Sequence, residues 1–598
     1  MVKTNSSSES QSSPSCRTPP KHANIQYNFC KNPVCSNFGV TPPETFKRGV
    51  IGSYAITYGG RAFPLLKCNL CGETPPMKSN IGIHEETQRL IAYLEPTPQR
   101  TCSTDDCVNQ HIPIRTKGAY RSYGTAKSGA ARYQCTACRK TFSTPKPSRW
   151  QRDTHHNQDI FRLLVNKMPL SRIVTVLGIS WSVLYHRIDF IHRQCVAFAG
   201  ERELRFKDLD LHRLYIAIDR QDHVINWTRR KDKRNVTFSA VASADNDSGY
   251  VFGVHPNYDA IPEIYKVEAE ALLNGDASLP APWRRHARLW LEHDYVSAAY
   301  RSSSAKSLRR IAKQQSPMTW LQKQISKAYK EAAARQDVEV FERPNATSKL
   351  PTNGFQVHAE YTMIAHFHFL KHLLGKVGVW RFYMDQESGI RSAFLSAFQP
   401  EVKLRTAEGF YVRIAKDWTI DEKLKRMLEA KVIFKQVQAN NTGATEHEIK
   451  LMLLKAEIAA MRPIGQWKDK WLHHPIPTMS EPDKAVCWLT EHNGLDDDNV
   501  AWLYNRASLH AVDVFFEKVR RSLSPLERSI KSSANAGRVW SGYAPYDPAM
   551  VGKLLDIFRV AHNFIDVRKN KGAKPSTAAM RIGLADAPVS YGDVVYFK

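Results

Sequence analysis

The sequence predicts a multidomain fold, with small β modules and a helical module ahead of a large α/β domain that carries an all-α insertion. Three observations predict it. Eight of the eleven cysteines fall into one repeated spacing near the front. Apolar residues then recur at helical spacing on both sides of Gly178. Farther on, apolar strand-like runs end in aspartates and alternate with helical segments.

The chain has 598 residues, with 85 Lys and Arg against 58 Asp and Glu, a net charge of +27 and a pI of about 9.6. The basic residues are spread along the chain. That pattern suits a long polyanion, because each neutralised phosphate releases counterions; charge alone does not separate this from a membrane surface. No apolar run reaches about 18 residues, so no membrane span is expected. Residues 1–25, opening "MVKTNSSSESQSSPSCRTPP", lack the apolar core of a signal peptide and read as a disordered tail. An intracellular, reducing setting is therefore expected, where cysteines serve metals rather than disulfides.

The first module spans residues 26–80 and pairs "CKNPVC" (Cys30, Cys35) with "CNLC" (Cys68, Cys71). The second spans 95–146 and pairs "CSTDDC" (Cys102, Cys107) with "CTAC" (Cys135, Cys138). Each knuckle brings two thiolates together, and two knuckles complete a tetrahedral zinc site. The intervening segments look like short strands and turns, which is the pattern of a zinc ribbon, here in tandem. So little core needs metal to fold. Around the second ribbon, Arg115, Lys117, Tyr120, Arg121, Tyr123, Arg132 and Tyr133 suit a phosphate-facing surface. Cys16, Cys195 and Cys487 receive no role.

Residues 155–200 carry apolar residues at Ile160, Leu163 and Leu164, then Ile173, Val174 and Leu177. Gly178 ends that helix and Ser180 caps the next. Helix, short turn, helix is the arrangement that places a second helix in the DNA major groove. Ser182, Tyr185, His186 and Arg187 are the expected exposed readers; an ordinary helical hairpin is the plain alternative.

From residue 205 to 585 the pattern changes. "LYIAID" puts Asp219 on a buried strand, and "NVTFSAVASA" and "GYVFGVHP" follow as two more, joined through "DNDSG". A helix over Ala359 to Leu374 precedes the strand "VWRFYMD", which ends in Asp385. A helix capped by Ser388 and the strand "GFYVRIAKD" follow. Residues 417–506 read as a helical insertion, whose Trp467, Trp471, Trp488 and Trp502 serve packing or, for one of them, stacking on an unpaired base. The helix "SLHAVDVFFEKVRRSL" places Asp513 and Glu517 one turn apart. A buried carboxylate is costly unless paired or bound to metal.

Three strands, helix, strand, helix, strand, helix, with acids so placed, resembles the RNase H-like catalytic core of a bacterial insertion-sequence transposase of the DDE/D type, within the retroviral-integrase superfamily. The tail containing Ser576 and Thr577 resembles that of such enzymes. The resemblance implies a transposase that cleaves and joins DNA strands, with Asp219, Asp385 and Asp513 holding Mg²⁺ or Mn²⁺ at the acid site. Asp513 departs from the usual Glu, so Glu517 stands as the alternative third acid and Glu527 as a remote one. It further implies double-stranded DNA partners (element ends and target), a homo-oligomeric active complex, and a cytoplasmic, nucleoid-associated location. A non-catalytic DNA-binding regulator and a metal-dependent nuclease are the alternatives.

Overall fold

The computed structural model describes residues 17–46, 52–58, 64–95, 100–114, 116–127, 130–226, 235–295, 350–387, 389–415, 418–464, 469–527, 542–568 and 574–597. The chain divides into two compact units. One holds residues 1–90, 210–517 and 528–549; the other holds 91–209, 518–527 and 550–598.

The larger unit is built on one mixed sheet. Strands β6 (Leu211–Ile225), β7 (Val236–Asp245) and β8 (Val251–Pro256) are antiparallel neighbours. On the other side of β6 lies β11 (Val377–Asp385), parallel to it, and then β12 (Ala407–Ile414), parallel to β11. With β13 (Arg462–Ile464), β14 (Asp469–His473) and β15 (Lys484–Trp488), the order is β13-β14-β15-β12-β11-β6-β7-β8. Central strands buried on both faces read as continuous apolar runs, as in "LYIAI", where Leu214 to Ile218 are all buried. Between β8 and β11 runs a helix over Ala359–Leu374, buried along most of its length and packed against the sheet with Ala365, Phe367 and Phe369 shut from solvent. Ser388, the expected cap of the following helix, lies outside the described residues; that helix spans Ile390–Ala397 and begins after Gly389, whose φ is 86°.

The expected all-α insertion is corrected. Two helices, Ile420–Asn440 and Glu446–Ala460, do open it, each with a Thr/Glu capping box. Three strands follow: β13 (Arg462–Ile464), β14 (Asp469–His473) and β15 (Lys484–Trp488). β15 pairs antiparallel with β12 and so extends the main sheet. These strands have three to five residues, too few for a visible alternation, and Pro475, Pro477 and Pro482 crowd the link between β14 and β15. Trp488 and Trp471 pack in this extension, stacked on Phe410 and Tyr411 with ring centroids 5.7 and 6.2 Å apart. Trp467 lies outside the described residues.

The tail expected to be disordered falls partly on residues 1–16, outside the described residues. Residues 17–25 are tied down: Arg17 bridges Thr45, His22 bridges Ile25, and the Asn80 amide donates to the carbonyls of Pro19 and Pro20.

In the smaller unit, a three-stranded antiparallel sheet of β3 (Tyr120–Thr125), β4 (Ala131–Cys135) and β5 (Thr141–Thr144) precedes three helices. These are His156–Leu164, Leu170–Leu177 and Trp181–Glu203. Gly178 takes the left-handed conformation at φ 64° that ends the second, and the Ser180 hydroxyl accepts from the Val183 N–H to cap the third. Deep in this unit, Glu203 is fully buried and is held by Arg559 at 2.5 Å and the Tyr93 hydroxyl at 2.5 Å.

Candidate metal centres and acidic site

Both cysteine quartets are assembled. In the first, the Sγ atoms of Cys30 and Cys71 lie 3.4 Å apart and those of Cys35 and Cys68 3.8 Å apart. In the second, Cys102 and Cys138 stand at 3.4 Å and Cys107 and Cys135 at 3.7 Å. All these cysteines are free thiols. A tetrahedron with Zn–S bonds of about 2.3 Å has edges of about 3.8 Å, so each quartet fits one zinc ion. Among the described residues, these two quartets alone gather three or more His, Cys, Asp or Glu ligand atoms within 4.8 Å of one another.

The repeat runs deeper than the cysteines. In the first quartet the Tyr54 hydroxyl accepts from the Cys30 N–H and donates to the carbonyls of Asn37 and Val40, while the Asn37 amide donates to the Cys68 Sγ at 3.3 Å. In the second, Tyr120 accepts from the Cys102 N–H and donates to Asn109 and Ile112, and the Asn109 amide donates to the Cys135 Sγ at 3.3 Å. Asn37 and Asn109 were not singled out from the sequence, although each stands two places after the second cysteine of C-x4-C. Such donors favour thiolate. Burial would push the Cys68 thiol up, but the Cys71 backbone N–H and the Asn37 amide bring it down to about 7. The Thr104 hydroxyl and the Lys140 N–H hold Cys138 at about 6.

The surroundings of the two quartets differ. Beside the first, Glu73 pairs with Arg391 at 2.9 Å, Lys78 pairs with Glu360 at 2.6 Å with both side chains buried, and the Tyr361 hydroxyl accepts from the Ser79 N–H. At Gly82 an added Cβ would stand 2.9 Å from the Tyr361 ring. The second quartet carries a strand, β3, whose residues after Tyr120 are all exposed. Lys117, Arg121 and Tyr123 are exposed, with the Arg132 guanidinium 5.4 Å from the Tyr123 ring centroid; Arg115 lies outside the described residues.

On the helix Trp181–Glu203, Ser182, Tyr185 and His186 are exposed. Arg187 is not among the exposed residues: it is 7% exposed and donates to the Arg152 carbonyl. Its position, among apolar neighbours at Leu184, Ile188 and Ile191 over about two turns, turns it inward.

Asp219 lies mid-strand on β6, 7% exposed, and its Oδ1 accepts from the Arg220 N–H at 2.7 Å. Asp385 ends β11, and its Oδ1 accepts from the Gln386 N–H at 2.8 Å. Parallel pairing sets Met384 against Ile218, so the next positions in register are Asp385 and Asp219. Neighbouring in-register residues face the same side of a sheet, on strands about 4.8 Å apart. Beyond them Arg220 pairs with Glu387 at 3.3 Å. Asp513 and Glu517 share the helix His510–Ser522, half-buried and exposed respectively. The start of that helix is fixed by Glu481, which accepts from Ser508 and the Leu509 N–H, and by Asn246, which bonds Ser508 and Ala511. Neither helix acid joins Asp219 and Asp385 in a cluster within 4.8 Å. Glu527 instead pairs with Lys167 at 2.7 Å. Asp245, a further buried acid, serves the turn after β7, accepting from the N–H and hydroxyl of Ser248.

No family model matches the chain, and no curated protein or solved structure matches it. No helix among the described residues is long and apolar enough to cross a membrane.

Proposed function

We propose that the chain is a DNA transposase of the DDE/D kind, with an RNase H-like core that cleaves and joins DNA strands. The observation that carries this reading is the parallel pairing of β6 and β11, which runs up to Met384 against Ile218, one residue before Asp385 and Asp219. The strand order supports it: three antiparallel strands, then two parallel ones added on the side of the first.

The donor set fits a hard divalent cation, since both groups are carboxylates on rigid strands. Asp219 and Asp385 would hold Mg²⁺, with Asp513 or Glu517 as the third acid. When bound, the metal supplies activation of a water or 3′-hydroxyl and stabilisation of the leaving oxygen. The chain's own part is positional. The N–H groups of Arg220 and Gln386 fix one oxygen of each carboxylate. The smaller unit, with Lys117, Arg121, Arg139 and Lys140 exposed around the second quartet, would hold the DNA.

Strand cleavage and strand transfer on DNA carrying the element ends test this directly. Asp219→Asn and Asp385→Asn should bind the ends as the parent does and lose Mg²⁺-dependent cleavage. Full activity in Asp219→Asn would leave a DNA-binding protein, and cleavage without joining by the parent would make it a nuclease.

A further inference from the structure

A groove of about 680 Å³ runs along one face of the helix Trp181–Glu203. Ser180, Val183, His186, Arg187, Phe190 and Arg193 line it at helical spacing, and residues 147–156, which join the second ribbon to the helices, form its opposite wall. This is not the face that presents Trp181, Ser182 and Tyr185, whose first and last rings stack 6.0 Å apart.

The groove is built for an anion. Arg187 is 7% exposed, and its Nε has no hydrogen-bond partner among the described residues although its Nη2 donates to the Arg152 carbonyl. The His156 Nδ1 at the wall is likewise buried and unpartnered. Arg152 and Arg193 are exposed at the rim, and neither forms an ion pair among the described residues. Of the two acids in the lining, Asp189 is taken by Lys553 at 2.5 Å, and Asp153 is exposed and close enough to Arg187 to act on its charge. At one end the groove meets the start of the long helix, where backbone N–H groups favour negative charge. Trp150 stands at the rim, 87% exposed, with the Arg149 guanidinium 4.6 Å from its ring. The wall also ends a basic run: from Cys107 to Arg152 the sequence has ten Lys or Arg and no Asp or Glu.

We infer that this groove seats the sugar–phosphate backbone of duplex DNA, one strand lying between the helix and the 147–156 wall while the Ser182/Tyr185 face turns to the bases. The inference rests on the DNA-binding part of the proposed function and adds where the backbone is gripped. It makes the link between ribbon and helices a binding element instead of a spacer.

The test uses the full-length protein with a short duplex of arbitrary sequence, titrated over a range of salt. Arg152→Gln and Arg193→Gln alter exposed side chains and leave the fold intact. A lost phosphate contact lowers the slope of log K against log salt by about 0.9, which at 0.1 M salt is roughly an eightfold loss of affinity. Each variant should show that change, and the double variant roughly the product. Lys207→Gln removes the same charge from an exposed position outside the groove and should leave the slope near the parent's. Parent-like binding by the double variant, or an equal loss in Lys207→Gln, overturns the groove. Failure of the parent to bind the duplex at all overturns the DNA-binding reading itself.

Discussion

The two ribbons share one metal-site plan and face different surroundings. Cys30, Asn37, Tyr54 and Cys68 make the same hydrogen bonds as Cys102, Asn109, Tyr120 and Cys135. Around the first, polar side chains are turned toward protein: Lys31 is fully buried over the rings of Tyr27 and Phe29, Glu73 meets Arg391, and Lys78 meets Glu360. Around the second, Lys117, Arg121, Arg139 and Lys140 are exposed. A metal site fixes a small backbone scaffold and says little about its use. The surface residues on that scaffold decide whether it supports a larger domain or meets a partner.

The largest expected effect follows from removing one ligand from each ribbon. Cys68→Ser and Cys135→Ser should each lower the zinc content of purified protein by one ion per chain, since structural zinc is lost with a ligand. Their consequences should separate. Cys68→Ser removes the support under the Glu73–Arg391 and Lys78–Glu360 pairs and should shift the main thermal transition strongly downward or leave insoluble protein. Cys135→Ser should keep that transition and lose affinity for DNA. Equal melting behaviour in the two variants would break the contrast between a supporting and an exposed ribbon.

A smaller effect comes from the side chains around intact quartets. Lys78→Met removes the Lys78–Glu360 ion pair, and removing one member of a buried ion pair costs about 3 kcal/mol. Denaturant unfolding of the larger unit should report it. Arg121→Met, on the exposed strand of the second ribbon, should leave the unfolding midpoint where it was and weaken DNA binding. A stable Lys78→Met protein would mean that the first ribbon contributes little to the unit that contains it.

Much of this was legible in the sequence because the signals were local. Cysteine spacing marks both quartets, Gly178 and Ser180 mark the turn between helices, and the run ending in Asp219 marks a strand buried on both faces. What the sequence hid depends on tertiary contact. Arg187 sits on a helix whose polar and apolar residues are mixed, so periodicity does not reveal that it turns inward to the Arg152 carbonyl. The strands β13 to β15 are too short to show alternation, and only their pairing with β12 makes them a sheet. Docking of the first ribbon depends on Arg391 and Glu360, roughly three hundred residues away, a partnership that spacing cannot reveal. The two strand aspartates lie between these cases: each is visible at the end or middle of its strand, but the parallel pairing of those strands up to Met384 and Ile218 is not.

The smallest effect tests the shared plan. Asn37 and Asn109 each donate one amide hydrogen bond to a cysteine sulfur at the same distance, 3.3 Å. A partner of this kind orients the thiolate and offsets its charge, and its loss costs roughly 10- to 100-fold in metal affinity at other metal sites. Asn37→Ala and Asn109→Ala should therefore weaken zinc retention by similar factors, measured as competition with a chelator of graded concentration. The ions should remain bound at low chelator, because all four thiolates are still present in each site. Asn37 and Asn109 are equally buried, at 5% and 6% exposed, but Asn37 belongs to the quartet beside the Glu73–Arg391 and Lys78–Glu360 pairs and Asn109 to the one with a solvent-facing strand. Similar losses would show that the metal-site plan acts independently of its setting. A much larger loss in Asn37→Ala would show that docking of the first ribbon strains or shields its zinc, and the two sites would then be alike in bonds but not in energy.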